Sequence, residues 1–581
     1  MTRPAGVAFA AVLLLGFVLR VWAVDFGLPH RFNPDEAVEV FRALQLGAGQ
    51  FDFTRVIKGG YYLMLFVLYG GYFAFLVLTG RVSGPDEFGL HFATDPTPFW
   101  LLGRLLTVAL GTATLAVVFQ LGRRIAGVAA GLCGMAALSV TLLHVELSHY
   151  ITLDAPECFF LALAFLFVLR YADAGRTRDL WAGILLIAVG AAFKLSGGAL
   201  GLSWAVAVLH RTRLEPRRDV LRRAFFAGLG GLALYVALTP GVLDRVGLVD
   251  FSSQRVGASF EPGQQRITQL GGVRRLEGWR VYPGFLFHNF GGLGGLPLLL
   301  LNLAAVLRSA WRRALPDVLF LAFWVPTVVA FLFFVPLAAG RYLLPNVVLG
   351  APFLGLLVVE AIDWSRRRRA ATPARRLPLR GELLAAAFGV LLLSAGLRST
   401  LWDIWISRPD TRELALAWVL ENVQPETRVL LNGNESFPAS STAPLPISRR
   451  HLERQAAEYR ADGAENKATY LERYQIPAIS GPGYVPVYVV GADATSLEDY
   501  LRQGVRTFIL DEGLAARIDD PAGRRAFPEL VRLARDLRAE RGVRLAATFG
   551  PSFPERPGPQ IRIYRVDGAA PPAAAPATSS P

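Results

Sequence analysis

Apolar runs separated by basic or turn-forming clusters fill the first 401 residues of the chain. Crossing a bilayer as a helix takes about 20 predominantly apolar residues. Runs near that length fall at 5–24, 99–121, 125–147, 151–170, 223–240, 285–307, 317–337, 342–361 and 381–401, with a shorter pair at 180–194 and 196–210. Segment 61–80, opening Tyr61-Tyr62-Leu63-Met64, is apolar enough to be a further span. Hydropathy alone therefore leaves the parity of the chain open.

The basic clusters decide it. Arg123-Arg124, Arg176/Arg178, Arg211 to Arg223, Arg308/Arg312/Arg313 and Arg366–Arg369 lie between apolar runs, and Lys and Arg accumulate in cytoplasmic loops. All of them face the cytoplasm if the N-terminus is inside, 180–210 crosses twice, and 61–80 stays within one external loop, 25–98, as a juxtamembrane or re-entrant helix. The expected fold class is a polytopic α-helical membrane protein of about 11 transmembrane helices spanning 1–401. It would be a multi-pass protein of the plasma or inner membrane, with a cytoplasmic N-terminus and an extracytoplasmic C-terminal domain. A second long external loop, 241–284, holds Gln264-Gln265-Arg266, Arg274-Arg275 and the interfacial anchors Trp279 and Tyr282.

Past residue 401 the periodicity changes. Thr411 to Asn422 reads as an amphipathic helix, and short β-type runs follow at 428–431, 484–490, 507–510, 545–549 and 561–566. Helical stretches at 449–473, 496–503 and 525–541 alternate with them, which predicts an α/β accessory domain over 402–567 with a largely parallel sheet. Asn434-Glu435-Ser436 and Asp511-Glu512 follow strands and read as ordinary loop chemistry. The Ala- and Pro-rich tail, 568–581, has a disordered composition.

Composition agrees with the membrane reading: of 581 residues, 53% are hydrophobic and only 18% charged, with a mean hydropathy of +0.39. The net charge of +14 raises nucleic acid as a partner. The Arg clusters between spans assign that charge to anionic lipid headgroups instead, so membrane lipids are expected partners and nucleic acid is not. Cys133 and Cys158 lie in or beside apolar runs without metal-ligand or disulfide spacing and read as packing residues. The apolar run after Met1-Thr2-Arg3 reads as an uncleaved first span.

Ionisable groups at the edge of a bilayer are costly to keep there, which makes them functional candidates. Asp35 and Glu36, in Phe32-Asn33-Pro34-Asp35-Glu36, follow the first span; Asp154 opens the fourth, after Ser148-His149-Tyr150. His144 and Glu146 read as an interfacial belt, and His149 and Tyr150 as supporting residues. Lys58, Lys194 before Ser196-Gly197-Gly198, and Arg341-Tyr342 at the tenth span are the candidate phosphate ligands, Arg341 foremost because guanidinium binds phosphate bidentately. With the chosen parity, these acids and cations all fall on the external face. Asp, Glu and His could supply ligands to a divalent metal, but no fixed spacing specifies one, and no other cofactor is indicated. A carboxylate among cations on one membrane face fits glycosyl transfer from a polyprenyl-phosphate sugar. The carboxylate takes the acceptor hydroxyl's proton while the cations stabilise the departing phosphate.

The order Asn33-Pro34-Asp35-Glu36, Arg104-Leu105-Leu106, Ser148-His149-Tyr150 with Asp154, Lys194, and Arg341-Tyr342-Leu343-Leu344-Pro345 resembles the C-type glycosyltransferase superfamily. It is most similar to the branch of dolichyl-phosphate-mannose protein mannosyltransferases and bacterial aminoarabinose transferases of lipid A. The resemblance covers about residues 1–360 and implies a catalytic base at Asp35 and a second acid at Asp154; Glu36, next to Asp35, is the less favoured substitute for the base. It also implies phosphate contacts at Lys58, Arg341 and Tyr342; after Lys58 this chain has Gly59-Gly60 where the family often has a Pro-Pro pair. The implied partners are a polyprenyl-phosphate sugar donor and a protein, lipid or glycan acceptor. The alternative class is a membrane transporter or lipid flippase, which inverted repeats and mid-membrane charges would favour. A non-catalytic membrane scaffold leaves the one-sided charges unexplained.

Overall fold

The computed structural model describes residues 2–30, 32–49, 59–248, 278–335, 339–371, 381–432, 442–489, 494–511, 528–540 and 542–566. Lys58, Gln264 to Arg275, Asn434 to Ser436, Glu512 and the tail 568–581 lie outside the described residues. The first helices are α1 (Arg3–Val21), α2 (Pro34–Gly47), α3 (Gly60–Leu78), α4 (Pro85–Thr94), α5 (Thr97–Ala126), α6 (Val128–Ser139), α7 (Leu142–Leu147) and α8 (Asp154–Ala174). Next come α9 (Thr177–Phe193), α10 (Leu200–Arg211), α11 (Arg217–Leu238) and α12 (Gly241–Arg245). The remaining helices of the bundle are α13 (Gly278–Asn289), α14 (Leu296–Arg312), α15 (Leu315–Val329), α16 (Leu344–Ala371) and α17 (Gly381–Ile406). Among the described residues, 8 helices are long and apolar enough to cross a membrane. The helix Gly60–Leu78 is one of them by length and composition.

Two runs that hydropathy reads as continuous are broken in the structure. Run 125–147 is interrupted between α6 and α7. The carbonyls of Leu138 and Ser139, at the end of α6, accept hydrogen bonds from the buried Arg20 guanidinium at 3.3 and 3.2 Å. Backbone groups freed inside a membrane bundle need such partners. Run 285–307 breaks between α13 and α14, where Gly291 and Gly292 take left-handed φ of 94° and 65°, a conformation glycine adopts at no steric cost. The pair 180–194 and 196–210 is α9 and α10, joined by a 3₁₀ turn, Leu195–Ala199.

Helices α5, α6, α8, α9 and α16 pack against one another around the principal apolar core. A second core joins α2, α3, α4 and the start of α5 through Val40, Tyr61, Tyr62, Phe92, Phe99 and Trp100. The basic ends of several helices meet. Arg124 at the end of α5 pairs with Asp173 at the end of α8 at 2.7 Å, and Glu215 binds both Arg211 and Arg223. Arg308 joins Asp317 and Glu360 at 2.6 and 2.8 Å. The opposite ends of α8, α9 and α16 begin or finish at Asp154, Phe193 and Leu344.

After α17, helix α18 (Thr411–Asn422) leads into a five-stranded sheet of β1 (Arg428–Asn432), β2 (Val485–Val489), β3 (Thr507–Asp511), β4 (Val543–Phe549) and β5 (Ile561–Val566). The strand order is β2-β1-β3-β5-β4. β1 is parallel to β2 and β3, while β5 is antiparallel to β3 and β4. The sheet is mixed, not largely parallel. The connection from Phe549 to Ile561 is shorter than the dozen or more residues a parallel crossover needs. Alternate residues of one strand point to opposite faces: Val429 and Leu431 pack with Ala415 and Val419 of α18, whereas Leu430 packs with Leu530, Leu533 and Leu537 on the other side.

Candidate active site

Asn33 caps α2: its side-chain oxygen accepts from the Asp35 N–H at 3.0 Å, and Pro34 occupies the first helical turn. This arrangement is favoured at helix starts because it satisfies an orphan N–H and fixes φ. Asp35 and Glu36 therefore both fall in the first turn, where the helix dipole favours carboxylates. Their side chains diverge. Asp35 is partly exposed and ion-paired with Arg341, 306 residues away in sequence.

Glu36 is fully buried and takes a bidentate pair from Arg104, Nε to Oε1 at 2.8 Å and Nη2 to Oε2 at 2.9 Å. The Ile151 N–H donates to the same carboxylate at 3.0 Å. Arg104 Nη1 donates to the Val24 and Phe26 carbonyls at 2.9 and 2.8 Å. Glu36 thus ties the start of α2 to α5 and to the segment before α8 through three hydrogen bonds.

Asp154 begins α8, again in a first turn, and Lys194 is the last residue before the 3₁₀ turn that follows α9. The two are ion-paired, with the Asp154 side chain almost wholly buried. Burial opposes the charged form of Lys194, but the carboxylates of Asp154 and Glu157 outweigh it and raise its pKa above the ordinary lysine value. The turn can pack this closely because Gly197 lies against the Gly190 backbone, where a Cβ would come within 2.9 Å.

Arg341 and Tyr342 belong to a second 3₁₀ turn, Gly340–Leu343, just before α16. The Tyr342 ring lies 5.3 Å from Lys194 Nζ and 5.9 Å from Arg341 Cζ, and is stacked on Phe331 at 5.6 Å. One aromatic face therefore stands beside both cations, and each cation holds a carboxylate. Asp35, Asp154, Lys194, Arg341 and Tyr342 form one cluster from four separate segments. Glu157, one helical turn beyond Asp154, accepts from Ser196 Oγ at 3.4 Å and adds a third carboxylate near Lys194. Its i, i+3 spacing from Asp154 in an apolar run was the available signal for it.

The remaining candidates are placed elsewhere. His149 is buried, with Nδ1 and Nε2 each 2.9 Å from a carbonyl, of Val145 and Trp22 respectively, and its ring edge-on to Trp402. Tyr150 packs edge-on against Phe26 at 5.4 Å. His144 accepts the Arg20 guanidinium at 2.7 Å. Among the described residues, no three of His, Cys, Asp and Glu converge as metal ligands; the two site aspartates face cations instead.

Bundle and site together define a polytopic membrane protein with a paired acid–cation cluster at one end. Residues 101–241 match the family model described as dolichyl-phosphate-mannose-protein mannosyltransferase, and the chain is similar to the C-type glycosyltransferase superfamily. The matched segment contains Arg104, Asp154 and Lys194. No curated protein matches in sequence.

Three solved structures illustrate the likeness in shape. One is the oligosaccharyltransferase AglB from Archaeoglobus fulgidus, in complex with an inhibitory peptide and a dolichol-phosphate. It has 12% identity, covers 89% of this chain and 71% of that one, and gives a TM-score of 0.43. ArnT from Cupriavidus metallidurans bound to undecaprenyl phosphate has 14% identity, covers 97% and 98%, and gives 0.46. The S. cerevisiae protein O-mannosyltransferase Pmt1-Pmt2 complex bound to the sugar donor has 17% identity, covers 46% and 37%, and gives 0.30.

Proposed function

We propose that this protein is an integral-membrane glycosyltransferase that moves a sugar from a polyprenyl-phosphate donor to an acceptor hydroxyl. The observation that carries the reading is the convergence of Asp35–Arg341 and Asp154–Lys194 beside the Tyr342 ring. Two adjacent cations are suited to a phosphate monoester or diester head, Arg341 by its planar fork and Lys194 as a point charge. When the phosphate engages Arg341, Asp35 is released from its ion pair and becomes the general base. The acceptor oxygen attacks the anomeric carbon as its proton passes to Asp35. The bond from that carbon to the phosphate oxygen breaks, and the electron pair leaves with the polyprenyl phosphate, whose added charge Arg341 and Lys194 stabilise. Asp154 holds Lys194 in place, and Glu36 anchors the loop.

The site faces the extracytoplasmic side in this reading. The ion-paired basic ends of α5, α10 and α11 lie at the ends of helices remote from Asp154 and Lys194, and basic ends face the cytoplasm. The N-terminus is then cytoplasmic and the C-terminal domain extracytoplasmic. The transferred sugar is identified by offering purified protein a panel of labelled undecaprenyl-phosphate mannose, glucose, galactose and aminoarabinose. Consumption of one of them by the wild type, lost in Asp35→Asn, is the expected result. A fully active Asp35→Asn enzyme, correctly folded, would remove the assignment of the base.

A further inference from the structure

The segment that carries Asp35 is held at both ends, and one of the two holds comes from the C-terminal domain. Helix α18 opens with a capping box, in which Asp410 accepts from the Arg412 N–H at 2.9 Å and Glu413 reaches back to the Asp410 N–H at 3.2 Å. Arg412 then occupies the second helical position. A cation there opposes the helix dipole, and a buried charge is costly unless its donors are satisfied. Its compensation is local and long-range at once. The guanidinium forms a bidentate pair with Asp410, with both bonds at 2.7 Å. Its third arm, Nη1, donates to the Phe32 carbonyl at 3.1 Å, and Cζ sits 3.8 Å from the Phe32 ring centroid. Phe32 is itself buried.

Three residues after that carbonyl comes Asp35, and the next residue is Glu36, fixed by Arg104 and Ile151. Asp35 is therefore suspended on a short bridge whose downstream pier is the membrane bundle and whose upstream pier is Arg412. The C-terminal domain is also fastened to this loop region by Arg473 and Tyr474, which both bind Asp86 of α4.

Resting on the reading of Asp35 as the base, we infer that Arg412 is a positioning residue for it. Through Arg412 the C-terminal domain sets the geometry of the catalytic loop. A displacement of about 1 Å in a reacting group can lower a rate by about a hundredfold without touching binding. The donor phosphate is held by Arg341 and Lys194, whereas Arg412 acts on Asp410 and Phe32, so the predicted defect is confined to turnover.

The test uses the full-length protein and two variants, Arg412→Ala and Arg412→Lys. The second keeps a cation beside Asp410 but lacks the third arm that reaches the Phe32 carbonyl, so it decides the matter if the first does not accumulate. Release of undecaprenyl phosphate from the consumed undecaprenyl-phosphate sugar gives kcat and KM, and binding of undecaprenyl phosphate gives Kd. The expected result is a kcat lowered by about tenfold or more, with KM and Kd changed by less than about twofold. Unchanged kcat in a folded Arg412 variant overturns the inference. So does a loss of kcat matched by an equal loss of undecaprenyl phosphate binding. Asp35→Asn is measured beside them. If Asp35→Asn is active, the functional reading fails; if it is inactive while both variants turn over normally, only the positioning role fails.

Discussion

Replacing Asp35 by Asn should move catalysis and donor binding in opposite directions. In the free protein Arg341 is already engaged by the Asp35 carboxylate, so a donor phosphate has to displace that carboxylate before it can take the guanidinium. Both side chains remain over a third exposed, 36% for Arg341 and 38% for Asp35, and pairs of that exposure contribute about 0.2–1 kcal/mol after solvent screening. At 1.4 kcal/mol per factor of ten, removing the competitor tightens undecaprenyl phosphate binding by about 1.4- to 5-fold. Loss of a general base costs about 10²- to 10⁴-fold in turnover. The substitution keeps the α2 start, because Asn33 caps it through the backbone N–H of residue 35. Titration of wild-type and Asp35→Asn protein in nanodiscs with undecaprenyl phosphate, paired with single-turnover sugar release, reads both quantities. Weaker binding by the variant would refute the displacement of Asp35 by phosphate, even if turnover is lost.

Arg341→Ala is expected to weaken undecaprenyl phosphate binding by about 10- to 150-fold, as a charge-assisted hydrogen bond is worth about 1.5–3 kcal/mol; the same titration checks it. Glu36→Gln should behave unlike Asp35→Asn. Breaking the buried Arg104–Glu36 pair costs about 3–5 kcal/mol, so thermal melting in detergent should show a lowered midpoint and reduced folded yield. Lys194→Met leaves Asp154 buried without its cation and is expected to destabilise; adding Asp154→Asn should recover most of the melting temperature while binding stays impaired. The pKa of Lys194 is raised, so its charge is complete below the ordinary lysine value and is lost only as pH rises through the higher folded value. Undecaprenyl phosphate binding should accordingly stay flat from about pH 7 to 9, and a decline centred in that window would contradict the ion-pair environment of Lys194.

What the sequence discloses about this site follows from where polar groups can reside in a membrane protein. Asp35, Asp154, Lys194 and Arg341 are visible because each interrupts or borders an apolar run, and the strands of the C-terminal sheet because their β-type runs are short and bounded by turns. Partners are not visible. Nothing local announces that Glu36, beside Asp35, pairs with an arginine 68 positions away, or that Arg412 reaches back 380 positions to Phe32. Such pairings depend on which helix faces meet, and periodicity does not encode that. Helix interruptions are hidden for a different reason: hydropathy weighs side chains, whereas a break is a property of the backbone. The site itself is built at helix ends. Both cations stand at 3₁₀ turns, Lys194 just before Leu195–Ala199 and Arg341 within Gly340–Leu343, and both acids stand in the first turn of an α-helix. A continuous helix would hide its backbone polarity and send long side chains along its flanks. Helix ends instead aim two cations and two helix N-termini at one place, with an aromatic face beside the cations. That arrangement, more than any one residue, suits the cluster to a phosphate that arrives charged and departs with more charge.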